Sequence, residues 1–313
     1  MIPESRDFVK IFLEQAGENA HTPFENPPSG RIMKNAIFFL LPIGSLMFWG
    51  CRMEDKFIFY PTSNIEQIPR DAGLAFEDVY FTTADGVRVN GWWVPYPGAR
   101  ITLLWFHGNA GNISHRVDGL KRLHDKVNAN VFIIDYRGYG RSEGTVSEKG
   151  TYEDARAALQ YLRSRKDLDP KSIVFFGQSL GAAVATELAV REECLALVLE
   201  APFASIREMA RVVFPLLPIG PLLRTRYDVT EKIKAVKAPV LVLQGDQDEV
   251  IPVEQGKKVF AAASTPKEFY TVRGAGHNDT FLVGGDAYFE AVKDFIERAA
   301  AGRIKAAASV SRV

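Results

Sequence analysis

The strongest constraint on how this chain can fold is a rhythm of short apolar runs. Ile101 to Phe106, Val131 to Ile134, Ser172 to Phe176, Leu195 to Leu199 and Pro239 to Leu243 follow one another, with a more mixed run at Glu268 to Val272. Unbroken apolar runs of this length suit strands covered on both faces, as in a parallel sheet. Between them, residues 114–127, 151–165, 180–191, 253–263 and 286–301 carry apolar side chains at helical spacing. The alternation predicts crossover units and an α/β fold, a mostly parallel central sheet with helices on both faces. Ahead of these units, Leu74 to Thr82 and Val87 to Val94 alternate apolar and polar residues around Asp85-Gly86, which predicts an antiparallel edge hairpin.

Two segments break the rhythm. Residues 201–228 contain Val212-Val213-Phe214-Pro215-Leu216-Leu217-Pro218-Ile219-Gly220-Pro221-Leu222-Leu223, too rich in proline for one helix and too apolar for an ordinary surface loop. This reads as an insertion between sheet units, a short apolar lid. The second is Asn35 to Cys51, which carries no charge and is slightly shorter than the about 20 residues a span usually needs. Arg31 and Lys34 precede it and Arg52 and Lys56 follow, so charge counting assigns no orientation. It is expected to be a single-pass membrane anchor, the other reading being a helix docked on the domain. The expected organisation is a tail over 1–34, the anchor at 35–51, a linker at 52–70, the α/β domain at 71–301 with the insertion at 201–228, and a tail at 302–313.

Composition closes off other classes. With 38 Lys and Arg against 38 Asp and Glu there is no global positive field for nucleic acid. The only cysteines, Cys51 and Cys194, form no C-x-x-C pattern, so no disulfide framework or thiolate zinc site is expected. Gly138, Gly140 and Gly144 miss the dinucleotide fingerprint spacing, and no metal-binding motif occurs, so no cofactor is called for.

The chemistry gathers at the expected carboxyl ends of the strands, where open α/β sheets bind ligands. The run Ser172 to Phe176 leads into Gly177-Gln178-Ser179-Leu180-Gly181, and Ala182-Ala183-Val184-Ala185 then opens a helix. A sharp strand-to-helix turn that exposes a serine needs small neighbours, and this one makes Ser179 the candidate nucleophile. A serine hydroxyl needs a base and a group that orients the base. Among the five histidines, His277 lies in a late glycine-rich loop after the last strand. Asp246, Asp248 and Glu249 share one loop after Pro239 to Leu243, and spacing does not choose among them. A fourth element, Phe106-His107-Gly108-Asn109, ends a strand in a polar turn; the backbone N–H groups of Asn109 and Leu180 are the expected oxyanion donors. His107 reads as a turn-stabilising residue.

Taken together, Phe106-His107-Gly108-Asn109, Asp135-Tyr136-Arg137-Gly138-Tyr139-Gly140-Arg141-Ser142, Gly177-Gln178-Ser179-Leu180-Gly181, Gly245-Asp246-Gln247-Asp248 and Gly276-His277 resemble an α/β-hydrolase over residues 57–298. The chain is similar to the membrane-anchored α/β-hydrolase-domain, serine aminopeptidase-like subfamily. The resemblance implies that the acid is Asp248 and that the segment 135–144 is a structural turn. The expected activity is serine-dependent hydrolysis of ester or thioester bonds in small acyl or lipid-like substrates through an acyl-enzyme. Two alternatives stand beside it, an aminopeptidase or amidase using Glu200 to bind a substrate amine, and a non-catalytic scaffold. The expected partners are the substrate and, through the anchor, membrane lipid; the expected state is a monomer that binds no nucleic acid.

Overall fold

The computed structural model describes residues 54–55, 58–217, 219–264 and 266–302. The chain divides into two units, 1–58 and 59–313, and the architecture below is that of the second. The expected anchor at 35–51 lies outside the described residues, as do the tail at 1–34 and residues 303–313. Among the described residues no helix is long and apolar enough to cross a membrane.

Eight strands form one sheet: β1 Glu77–Thr82, β2 Arg88–Val94, β3 Thr102–Phe106, β4 Asn130–Ile134, β5 Ile173–Gln178, β6 Ala196–Glu200, β7 Val240–Gly245 and β8 Lys267–Val272. Among the described residues eight α-helices accompany them: α1 Val117–Val127, α2 Glu148–Ser164, α3 Leu180–Arg191, α4 Ile206–Val213, α5 Val229–Lys232, α6 Val253–Ala262, α7 Thr280–Val283 and α8 Gly285–Ala300. The spatial order of the strands is β1-β2-β4-β3-β5-β6-β7-β8. The first hairpin is antiparallel, β2 also pairs antiparallel with β4, and every other pairing is parallel.

This order determines where a ligand can bind. From β3 the chain crosses to β4 on one side and then returns to β5 on the other, so the connection reverses between β3 and β5. Loops leaving the carboxyl ends of those two strands diverge and open a crevice. The turns after Phe106 and Gln178 flank it.

Burial follows the sequence pattern. All residues of β3, β4, β6 and β7 are buried, and β5 is buried except at Gln178. Helix α3 begins immediately after Ser179 and is buried from Leu180 to Ala189. Its run of alanines lets the helix axis approach the sheet closely, where larger side chains would hold it away.

The expected linker behaves differently from its assignment. Residues 59–70 belong to the domain: Phe59 is buried, Pro61 bridges Gly111, and the Thr62 carbonyl accepts from the Gly140 N–H at 2.9 Å and from the Asn112 carboxamide at 3.0 Å. Polar and proline-containing residues in this stretch serve the backbone groups of two loops, which hydropathy does not register. The turn 135–144 is fastened by an ion cluster: the Arg137 guanidinium bridges Asp85 at 2.7 Å and buried Asp154 at 2.9 Å. Insertion 201–228 contains α4 and a 3₁₀ turn at Gly220–Leu222 rather than one helix. Its two arms are closed on each other where the Ile206 N–H donates to the Arg226 carbonyl at 2.8 Å.

Candidate active site

Ser179 stands at the tip of the β5–α3 turn with φ 53° and ψ −114°, a positive-φ conformation that costs a non-glycine residue about 1–3 kcal/mol. Its neighbours show why the turn survives. A Cβ on Gly181 would collide with the Phe106 carbonyl, and one on Gly177 with the Gly181 backbone. The Ser179 N–H donates to the Glu200 carbonyl at 2.9 Å, tying the turn to the end of β6.

His277 reaches this serine from the loop after β8. Its Nε2 lies 3.2 Å from Ser179 Oγ, and its Nδ1 lies 2.8 Å from Asp248 Oδ2. An Asp248 carboxylate selects the tautomer with the proton on Nδ1, which leaves Nε2 as the acceptor for the serine O–H. Asp248 is itself fixed. Its Oδ1 accepts from the Val250 and Ile251 N–H groups at 3.0 and 2.7 Å, and its Oδ2 accepts from Gln244 Nε2 at 2.9 Å. Asp246 and Glu249 do not share this geometry: both are exposed, and Asp246 accepts instead from the Gly274 N–H at 2.7 Å.

The turn after β3 lies alongside. A Cβ built on Gly108 would sit 3.5 Å from Ser179 Cβ, ordinary van der Waals contact. The Asn109 carboxamide oxygen accepts from the Tyr139 hydroxyl at 2.8 Å and from the Tyr60 N–H at 3.4 Å. The Tyr136 hydroxyl donates to the His107 carbonyl at 2.8 Å. Arg116, half-buried, donates from Nη2 to the Ala110 carbonyl at 2.7 Å. The backbone of residues 107–110 is thus clamped before any ligand arrives. Leu180 opens α3, one of the four leading N–H groups for which a helix has no internal acceptor.

The chain as a whole is similar to other proteins. Residues 101–220 match the family model described as the α/β hydrolase fold. An uncharacterized protein of Mycobacterium tuberculosis, Rv2307c, is 39% identical over 268 residues, 85% of this chain and 94% of that protein. The α/β-hydrolase domain-containing protein WAV2 of Arabidopsis thaliana is 35% identical over 270 residues, 78% of this chain and 88% of its own length. The chain belongs to the α/β-hydrolase family. Among solved structures, the esterase Pf2001 of Pyrococcus furiosus superposes with a TM-score of 0.65 at 24% identity, covering 76% of this chain and 98% of the esterase, which shows a shared fold.

Three buried titratable groups of this α/β-hydrolase are His107, Asp135 and Glu200. His107 is buried in the aromatic company of Tyr136 and Tyr139, and burial holds its imidazole down at about 3, so it is neutral. Its partner Asp135, 3.6 Å away, is pushed up to about 7 by burial, against the opposing Ile113 N–H and Arg116 charge. Glu200, the group that would bind the amine in the aminopeptidase alternative, is fully enclosed. Its carboxylate accepts from the Thr280 and Tyr288 hydroxyls, the latter at 3.0 Å, and burial pushes its pKa up. Both oxygens are committed to the domain interior, so an incoming ammonium finds no free oxygen there. The sequence pattern carried no signal for Gln244, Tyr139, Thr280 or Tyr288, whose partners are 4, 30, 80 and 88 positions away.

Proposed function

We propose that this chain is a serine hydrolase that cleaves ester or thioester bonds of acyl or lipid-like substrates through an acyl-enzyme. The observation that carries the reading is the unbroken hydrogen-bond line from Asp248 through His277 to Ser179, located at the crevice between β3 and β5.

In this reading Ser179 Oγ attacks the substrate carbonyl carbon while its proton passes to His277 Nε2. The new C–O bond turns the carbonyl into a tetrahedral oxyanion. The N–H groups of Asn109 and Leu180 receive that charge; each such donor is worth about 100 to 1000-fold in turnover. Asp248 holds the imidazolium in orientation without taking its proton. As the intermediate collapses, the bond to the leaving oxygen or sulfur breaks and His277 returns the proton to it. Water, deprotonated by His277, then attacks the acyl-enzyme, and the acid leaves with Ser179 restored. The positive φ at Ser179 and the clamped 107–110 backbone support this reading, because both are arranged in advance of substrate.

Acyl substrates are favoured over amines by the enclosure of Glu200 and by the apolar character of the lid over 201–228. The name of the Pyrococcus furiosus relative by fold, an esterase, agrees. Residues 35–51 tether the domain as a single-pass anchor, and the domain works as a monomer. A panel of acyl p-nitrophenyl esters and thioesters beside aminoacyl anilides tests the substrate class. Turnover of the esters, lost in Ser179→Ala, is the expected result; turnover confined to aminoacyl anilides overturns it. Resistance of the full chain to alkaline carbonate extraction from membranes is expected for the tether, and release into the supernatant contradicts it.

A further inference from the structure

Ser179 and His277 meet from two different loops, and one buried residue is attached to both. Glu200 ends β6 beside Gln178, its partner in the β5–β6 register, and only 2% of it is exposed. Its backbone carbonyl accepts from the Ser179 N–H at 2.9 Å. Its side chain serves the other loop. Oε1 accepts from the hydroxyl of Thr280, which opens α7 just after His277, and Oε2 accepts from the Tyr288 hydroxyl of α8 at 3.0 Å. Thr280 and Tyr288 are themselves buried. The His277 ring bonds only forward, to Asp248 and Ser179, so its approach to the serine depends on where its loop is held. Ahead of the ring the loop is tied where the Gln247 N–H donates to the Ala275 carbonyl at 3.0 Å; behind it the tie is Thr280 on Glu200.

We propose that Glu200 is a positioning residue for the Ser179–His277 pair, holding the serine turn through its backbone and the histidine loop through its carboxylate, so that Oγ and Nε2 stay in hydrogen-bond reach. A carboxylate is a costly way to fill this place. Burial pushes its pKa up, against the Thr280 and Tyr288 hydroxyls and the charges of His277 and Arg116, and an apolar side chain of equal size would carry no such cost. What the carboxylate adds is a pair of acceptors at fixed separation, one for each of two successive helices. Rate is sensitive to such placement, since a shift of about 1 Å in a reacting group costs about 100-fold. The effect on rate rests on the serine-hydrolase reading above; the placement of His277 by Glu200 does not.

The test compares three variants of the full chain. Glu200→Met keeps the volume and loses both acceptors, Thr280→Val removes one hydroxyl at equal size, and Glu200→Gln keeps one acceptor and offers the other hydroxyl an amide donor. Thermal unfolding checks that each is folded, and Thr280→Val carries the comparison should Glu200→Met fail to fold. The first readout is the rate of fluorophosphonate labelling against probe concentration. Glu200→Met and Thr280→Val are expected to lower the maximal rate about 100-fold with the half-saturating concentration unchanged, and Glu200→Gln to recover to within about tenfold of wild type. The second is NMR of the imidazole N–H groups in histidine-labelled protein, with His277 assigned from its loss in His277→Ala. Wild type and Glu200→Gln are expected to show the Nδ1–H bonded to Asp248, and Glu200→Met and Thr280→Val to shift or lose it. Wild-type labelling rates and an unchanged His277 resonance in folded Glu200→Met or Thr280→Val overturn the proposal. A wild type that never labels overturns the serine-hydrolase reading instead, and the resonance then decides on Glu200 alone: altered in Glu200→Met it upholds the placement, unaltered it overturns it.

Discussion

At the scale of single residues, chemically similar side chains carry unequal weight. Three carboxylates share the loop after β7, but only Asp248 combines burial, two backbone donors and contact with His277. Asp248→Asn, which leaves shape intact but favours the wrong histidine tautomer, is expected to lower ester kcat about 10⁴-fold. Asp246→Asn should slow it far less, and equal losses at both positions in steady-state kinetics would remove Asp248 from its role. Asp135 carries a different prediction. Its pKa rises from 3.8 to about 7 on folding because it is buried. The folded state therefore holds a proton that the unfolded state releases between those values. Stability from this group is complete below about pH 4 and falls as pH climbs towards 7. Asp135→Asn keeps the acceptor for the Ile113 N–H. Relative to wild type, its urea midpoint should improve steadily from pH 4 to 7; a constant offset would contradict the linkage.

At the scale of elements, the Ser179 turn is a steric construction. Gly181→Ala drives a methyl into the Phe106 carbonyl, backbone that has nowhere to move between β4 and β5. The expected loss in denaturant-measured stability is at least about 3 kcal/mol, at the upper end for overpacked sites. The G-x-S-x-G turn was legible from sequence because its steric demand is local: strand, small residues and helix all lie within about twenty positions. The five apolar runs were legible for the same reason, since burial on both faces leaves an uninterrupted apolar string. Residues 59–70 were not. Their contribution is backbone hydrogen bonding to the loops at 109–112 and 140, and a polar string reads as a linker whether or not another loop lies above it. The same limit hid the role of Glu200. Its position at a strand end suggested a ligand group, but its partners come from α7 and α8, brought close only by the completed fold.

At the scale of the whole molecule, three distant stretches of chain converge because the connection reverses between β3 and β5. The turn at 107–110, the Ser179 turn and the His277 loop meet only when the sheet is complete, so site and fold should be lost together. A chain beginning at residue 71 lacks the segment that ties these loops down, and it should melt at lower temperature than one beginning at residue 54. Equal melting temperatures would return 59–70 to the status of a linker. The central claim is that this convergence activates Ser179, and the most direct measurement is intact-mass labelling with a fluorophosphonate probe of the wild type, Ser179→Ala and His277→Ala. One adduct is expected on the wild type, none on Ser179→Ala and strongly slowed labelling on His277→Ala. An adduct that persists in Ser179→Ala, or a folded wild type that never labels, would contradict it.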